Sequence, residues 1–274
     1  MKMKVKIVRS IAVLVYLLAI LGCSNMSKQA KYEYAGKTPD QLFTMAEKYM
    51  LDGKYNNAVK IYEHLESTYP FGPHAQQTEL NIIYAYYMNN NPGAAKAAAE
   101  RYIHLYPQAK DVDYAYYMRA LASLSEERTF AEKHLPIDLS QRDLANAHKS
   151  YDEFSELTTR FPQSRYLPDA RQHMVYLRNM FAQNEVNVAE FYLQRKAYVA
   201  AVNRAYNVVK NYQQSPQTAD ALEILVQAYK GLGLTTLSND ALQTLALNYP
   251  NSKQYRIARG DTARSEKDPW YKFW

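Results

Sequence analysis

The sequence contains a single cysteine among 274 residues, so no disulfide can form within the chain. This excludes the small secreted domains that are held together by several disulfides. A zinc site would need further ligands, and the six histidines, at positions 64, 74, 104, 134, 148 and 173, never stand at metal-ligand spacing. The composition therefore predicts a protein without disulfides and without a metal centre.

The common catalytic and cofactor-binding motifs are also absent. The chain has no Walker loop, no dinucleotide-binding glycine motif, no H-E-x-x-H and no G-x-S-x-G. Its adjacent carboxylates, Glu126-Glu127 and Asp152-Glu153, are expected to be solvated rather than a catalytic pair. We predict a protein that is not an enzyme and needs no cofactor.

Only one long hydrophobic run occurs, Ile11 to Leu21. Eleven residues are too few to cross about 30 Å of hydrocarbon as a helix, and four basic residues precede them, which is typical of a signal peptide over 1–22. The run ends in Ile20-Leu21-Gly22-Cys23, which is similar to the bacterial lipobox. Cys23 is therefore the predicted lipidation site. The alternative is an ordinary cleaved signal with an incidental thiol.

The charge is modest once this leader is set aside. The formal net charge is +6, and the leader carries four basic and no acidic residues, so the remaining chain has about +2. No Lys/Arg-rich block follows, which argues against nucleic-acid binding. The polar stretch 23–37 is predicted to be a lipidated tether. Ser24 after the cysteine favours the outer membrane, by analogy with enterobacterial sorting.

The remainder is organised by a repeat whose marker is an aromatic residue followed by proline. The marker occurs at Tyr69-Pro70, Tyr106-Pro107, Phe161-Pro162 and Tyr249-Pro250, with Tyr212-Gln213 in the same role. The residues before the marker repeat as well. Positions that hold small or apolar residues and tyrosines in the first repeat hold residues of the same kinds 37, 143 and 180 residues later. Small residues at helix crossings and a proline that ends the second helix are typical of tetratricopeptide repeats. We therefore predict an all-α solenoid of about five helix–turn–helix repeats.

The repeats divide the folded part into segments. Residues 38–163 would form three N-terminal repeats, with an insertion near 126–142, and 164–250 would form repeats four and five. Residues 251–274 would be a polar tail with an aromatic end. Thr38 and Pro39 have the chemistry of a helix start. Mostly apolar residues stand alternately three and four positions apart from Met174 to Phe191, which predicts one long helix from Asp169 to about Gln194. Two helices broken near Asn184 are the alternative.

Tyrosine is abundant, with 26 residues. The first helices of tetratricopeptide repeats direct certain positions into a groove, which here include Phe43, Leu80 and four tyrosines. The tyrosines Tyr84, Tyr87, Tyr114 and Tyr117 are the candidate substrate-binding residues, for an apolar-aromatic peptide. The alternative is that the insertion or the tether buries them.

Several motifs resemble one family of lipoproteins. They include Tyr69-Pro70-Phe71-Gly72-Pro73, Ile83-Tyr84-Ala85-Tyr86-Tyr87 and Tyr117-Met118-Arg119. The sequence is similar in these motifs to the BamD, or ComL-type, family of the outer-membrane β-barrel assembly machinery. The resemblance implies a non-enzymatic periplasmic scaffold on the outer membrane.

The same resemblance implies partners. C-terminal repeats would dock an Omp85-type barrel subunit beside accessory lipoproteins, and N-terminal repeats would receive the C-terminal signals of unfolded outer-membrane proteins. Tyr198 and Arg204 are the candidate docking residues. Two other functions stay open: another envelope repeat lipoprotein, in division or polysaccharide export, and a lytic transglycosylase, for which no stretch supplies a catalytic domain.

Overall fold

The computed structural model describes residues 34, 36–126, 140 and 143–261. These residues form eleven helices and no strand, which confirms the all-α prediction. The helices are α1 Pro39–Leu51, α2 Tyr55–Thr68, α3 Ala75–Met88, α4 Pro92–Leu105, α5 Val112–Glu126, α6 Ala145–Arg160, α7 Leu167–Gln194, α8 Tyr198–Asn211, α9 Thr218–Gly231, α10 Thr235–Asn248 and α11 Lys253–Arg259. The predicted leader, Cys23 and most of the insertion and tail lie outside the described residues. The chain divides into two compact units, before and after the Asn91–Pro92 bond.

The first unit contains α1 to α3. Thr38 caps α1 in a capping box: its hydroxyl accepts from the Gln41 amide, and the Gln41 side chain accepts from the Thr38 amide. The core includes Tyr62, whose hydroxyl accepts a hydrogen bond from Asn81 at 3.0 Å. Burial raises the pKa of Tyr62 to about 12. A tyrosine at one of the repeat's small or apolar positions is thus part of the core, and its hydroxyl has a hydrogen-bond partner.

The turns within repeats share one backbone feature at the spacing that the sequence predicted. Gly53, Asn90, Lys196 and Gly233 all have positive φ, of 71°, 59°, 59° and 73°. Asn90, Lys196 and Gly233 follow Gly53 by 37, 143 and 180 residues, which are the repeat offsets found in the sequence. The left-handed conformation lets the second helix of a repeat turn back against the first. The repeat register is therefore visible in the backbone itself.

The second unit contains α4 to α11, in which helices pack against their chain neighbours. Alanines in the predicted phase are buried where helices cross, such as Ala95, Ala99, Ala201 and Ala205. Because alanine lets two backbones approach closely at little entropic cost, these positions keep the helix pairs tight. The small-residue pattern thus explains the packing of this unit.

Helices α5 and α6 are also joined by a partly buried ionic cluster. Arg119 donates from Nη2 to Glu156 Oε2 at 2.5 Å, and its Nε lies 3.7 Å from Glu153 Oε1. Arg160 donates to the hydroxyl of Tyr116 at 2.5 Å. The expectation that Glu153 is solvated is wrong, because its side chain is buried beside Arg119, whereas the neighbouring Asp152 is exposed. This burial raises the pKa of Glu153, an effect that Ser123 and Arg119 partly offset.

The long helix is continuous, as predicted, and the alternative of a break near Asn184 is wrong. Helix α7 runs 28 residues through the position of Asn184. Two polar residues of this helix have partners: Asn184 Nδ2 donates to the Ser140 carbonyl at 2.6 Å, and Asn187 Nδ2 donates to the Ser140 hydroxyl at 3.0 Å. These asparagines therefore hold the return of the insertion against the helix.

Helix α4 begins at Pro92, because proline is favoured in the first turn of a helix, where its missing amide costs nothing. The predicted tail differs from the structure in one element. Residues 253–259, predicted as tail, form the short helix α11, which Ser252 caps by accepting from the Tyr255 amide. Its residues Tyr255 and Ala258 pack on the core of the second unit.

Candidate functional site

Tyr84 and Tyr87, one half of the predicted groove, lie on α3 in the first unit. Tyr84 is 38% exposed, and its ring meets that of Tyr55 edge-on with centroids 6.2 Å apart. Partial burial beside Tyr55 raises the pKa of Tyr84. Tyr87 stands three residues later and is half-buried. The first unit thus presents an aromatic surface with Tyr84 as its exposed member.

Two other residues assigned to this groove are in the core. Phe43 is 8% exposed and stacks on His74 with centroids 4.3 Å apart. Leu80 is 6% exposed. The prediction that they line the groove is wrong, because both side chains are buried within the first unit. His74 also bonds the Asp40 carboxylate at 2.6 Å, so this histidine is a packing residue.

Tyr114 and Tyr117, the other half, lie on α5 in the second unit, and Tyr166 stands between them. Tyr117 stacks on Tyr166 with centroids 4.8 Å apart and an interplanar angle of 14°. Tyr114 meets Tyr166 at 5.6 Å. The Tyr117 hydroxyl donates to Asp169 at 2.5 Å. These three rings form a second aromatic surface, which we call the Tyr166 cluster.

Prediction of the site missed Tyr166 and its neighbour Arg165. The Arg165 guanidinium lies 5.0 Å from the Tyr166 ring centroid. The signal available in the sequence was a tyrosine just before Leu167-Pro168, a helix start, but its partners are about fifty residues away in the chain. Because the two pairs of tyrosines belong to different compact units, a single groove formed by all four stays a prediction.

Tyr198 and Arg204, the predicted docking residues, both lie on α8. Tyr198 packs over Gly231 so closely that a Cβ there would lie 2.5 Å from its ring. Arg204 is 49% exposed and pairs with Glu185 of α7, with Nη1 3.3 Å from Oε2. Asn207 donates to Glu185 Oε1 at 3.0 Å. Tyr198 is therefore mainly a packing residue, while Arg204 is accessible but already paired.

An open groove of about 550 Å³ surrounds this ion pair. Its lining includes Glu185, Tyr192, Arg204, Tyr206, Asn207 and Lys210. Tyr206 is 53% exposed. Prediction missed Glu185 and Tyr206, because an acid on one helix and an aromatic on the next come together only through the packing of α7 on α8. A surface with both charges and an exposed ring suits a protein partner.

The described residues contain no group of three His, Cys, Asp or Glu side chains that could hold a metal ion. Among their helices, none is both long and apolar enough to cross a membrane.

Comparison with known proteins identifies the family. The model of the YfiO family, described as outer membrane lipoprotein, matches residues 35–245. The chain belongs to this family. The match covers repeats in both units. Together with the BamD relatives described next, it confirms the resemblance to the BamD family that the sequence motifs predicted.

Three curated relatives show how much of the chain is shared. The outer membrane protein assembly factor BamD of Neisseria meningitidis serogroup B is 37% identical over 235 residues, 86% of each chain. BamD of Xylella fastidiosa strain Temecula1 is 36% identical, over 85% of this chain and 79% of its own. BamD of Vibrio cholerae serotype O1 is 35% identical, over 77% of this chain and 87% of its own.

Proposed function

We propose that this YfiO-family protein is a non-enzymatic scaffold that assists the assembly of β-barrel proteins in the outer membrane. The observation that carries the proposal is its similarity, over most of both chains, to relatives named outer membrane protein assembly factors. Exposed aromatic and charged surfaces on a packed helical frame agree with a role in binding other proteins.

The anchor in this proposal is an acylated Cys23, which would hold the chain on the periplasmic face of the outer membrane. Stable anchoring takes more than one acyl chain, as bacterial lipoproteins carry. Replacing the cysteine in Cys23→Ser should leave a soluble or unprocessed protein. Acyl mass on the mature chain is the deciding measurement, because partner binding alone can retain protein at the membrane. A processed Cys23→Ser chain without acyl groups that still fractionates as wild type would contradict the anchor.

The dock for an Omp85-type subunit, in this proposal, is the groove around Arg204. Its guanidinium is half-exposed and could exchange Glu185 for a partner carboxylate, and Tyr206 offers an apolar contact beside it. In Arg204→Ala the hydrogen bond from Asn207 still satisfies Glu185, so the fold should survive.

Cross-linking in intact cells, followed by identification of the partners, tests this dock. Arg204→Ala should lower the yield of a barrel subunit, whereas Arg171→Ala, which removes the same charge from an exposed position of α7, should not. Equal yields from the two folded variants would move the dock elsewhere. Recovery of division or export proteins instead of a barrel subunit would overturn the proposed function.

Substrate recognition is proposed for the two tyrosine surfaces, around Tyr84 and around Tyr166. Aromatic rings can stack on the aromatic residues of an unfolded β-barrel segment, and their partial exposure leaves the rings reachable. Because the contacts expected at Tyr84 and Tyr55 are aromatic rather than ionic, binding there should respond weakly to salt.

A further inference from the structure

Helix α10, the second helix of the fifth repeat, carries an exposed stripe formed by Leu237, Asp240, Thr244 and Leu247. The spacing of 3, 4 and 3 places these residues on one face. Leu237 is 44% exposed and Leu247 is 75% exposed, and the two polar residues between them are exposed too. The buried residues of α10, Ser238, Ala241 and Leu245, lie on a different face. Packing of the repeat therefore does not account for the two leucines.

The equivalent helices of the other repeats lack this feature. In the repeat register the positions of Leu237 and Leu247 correspond to Asn57 and Ser67 in α2, Ala94 and His104 in α4, Lys149 and Thr159 in α6, and Ala200 and Lys210 in α8. The position of Asp240 is acidic in only one of these four helices. Two large apolar residues flanking an acid are thus particular to the fifth repeat. Exposed large apolar side chains on one helix face are typical of a surface that binds another segment or protein.

The sequence after α11 has the composition that this stripe would accept. Trp270-Tyr271-Lys272-Phe273-Trp274 places a cation between two aromatic pairs. Helix α11 packs on α9 and α10 and ends at Gly260, whose φ of 94° turns the chain. The 13 residues from 262 to 274 can span about 45 Å when extended, while the 14 residues of α10 span about 21 Å. The segment is long enough to reach the whole stripe.

In the first unit, an aromatic residue from outside the repeats packs against the equivalent face of helix α2. Tyr34 is 7% exposed, and its ring lies 4.9 Å from that of His64 on α2. His64 corresponds to Thr244 in the repeat register, at an offset of 180. An aromatic side chain can therefore pack against this face of a second helix.

We propose that residues 270–274 bind along the stripe of α10 in the same chain. The aromatic rings cover Leu237 and Leu247, and the Lys272 ammonium lies beside the Asp240 carboxylate. This contact removes apolar surface from water. The exposed ion pair contributes to the orientation of the bound segment more than to its affinity.

The experiment uses intrinsic fluorescence, because both tryptophans of the protein, Trp270 and Trp274, lie in this segment. Tryptophan emission of the mature chain in detergent should be shifted to the blue, and be less quenched by acrylamide, than that of a synthetic peptide of residues 262–274. Leu237→Ser/Leu247→Ser should lose most of that shift with unchanged helicity by circular dichroism. Leu51→Ser, which changes an 88% exposed leucine of α1, is the matched control and should keep it.

Charge exchange and dilution complete the test. Asp240→Lys should weaken the protection of the tryptophans, and Asp240→Lys/Lys272→Asp should restore part of it. Emission identical to that of the free peptide, or unchanged in the double serine variant, would overturn the proposal. So would a blue shift that disappears on dilution together with a dimer, because the stripe would then bind a second copy.

Discussion

At the scale of single residues, Lys196 shows most directly how the repeat constrains its sequence. It occupies the left-handed turn position that Gly53 and Gly233 fill in other repeats, with φ of 59°. This conformation costs a residue with a Cβ roughly 1–2 kcal/mol, whereas glycine adopts it without that strain. The side chain therefore reduces the stability of the fourth repeat.

Substituting Lys196→Gly should raise the free energy of unfolding. Relief of the strain is partly offset because glycine gains freedom in the unfolded chain, so we expect about 0.5–1 kcal/mol. Urea denaturation measures it. Gly233→Ala, at the equivalent turn, is the control and should lose about 1 kcal/mol. If Lys196→Gly were destabilising, a side-chain contact would outweigh the backbone strain.

Glu153 gives a prediction that depends on pH. Burial raises the pKa of this carboxyl, so the folded state binds its proton more tightly than the unfolded state does. Wild-type stability should consequently fall, relative to Glu153→Gln, as the pH rises from the ordinary range of a glutamate through the raised pKa. Denaturation profiles from pH 4 to pH 8 measure the difference. Asp152→Asn, which changes the exposed neighbouring residue, is the control, and its free energy of unfolding should vary with pH as that of wild type does. The same pH dependence in Glu153→Gln as in wild type would contradict the effect of burial.

At the scale of elements, α7 is what joins the third repeat to the fourth. It packs against α6, α8 and α9, and its two asparagines hold Ser140. Since one element makes all these contacts, a local break in α7 should affect several repeats of the second unit together.

Proline at position 188 would make such a break. Val188→Pro removes a helical hydrogen bond and kinks α7, at a cost of about 3 kcal/mol or more. Thermal unfolding should shift to a lower temperature, and co-purification of the docking partner should fall. Val188→Ala keeps the helix and is the control. Unchanged stability and unchanged docking in Val188→Pro would show that continuity of the helix does not matter.

The same elements show what the sequence could and could not predict. Thr38 and Pro39 mark a helix start through local chemistry, so the start of α1 followed from a short-range signal. The continuity of α7 followed from the periodic spacing of its residues. Helix α11 was missed because seven residues show too little periodicity.

Contacts between distant residues were the harder part of the site. Phe43 and Tyr84 both occupy first-helix positions that suit a groove, yet one is buried and the other exposed. Helix crossing geometry decides between these outcomes, and periodicity alone does not contain it. The stacking of Tyr166 on Tyr117 and the pairing of Glu185 with Arg204 were missed for the same reason.

At the scale of the whole molecule, each of the two tyrosine surfaces should contribute to substrate binding. A fluorescent peptide with an aromatic C-terminal residue can be titrated against Tyr84→Ala/Tyr87→Ala and against Tyr166→Ala. Each truncated ring at a binding hot spot should cost about 1–3 kcal/mol. Tyr176→Ala, which removes a 48% exposed ring of α7 outside both surfaces, is the control and should bind normally. Unchanged affinity in folded variants of both surfaces would leave these tyrosines with a packing role alone.

The most direct test of the assembly role is to deplete the protein in its own cells and follow newly made β-barrel proteins. Folded barrels resist unheated detergent and migrate differently from unfolded chains on gels, so the folded fraction can be measured over time. The account predicts that this fraction falls early after depletion and recovers with the wild-type gene, and recovers less with Arg204→Ala than with Arg171→Ala. Normal barrel folding in depleted cells, with the defect confined to division or polysaccharide export, would contradict it.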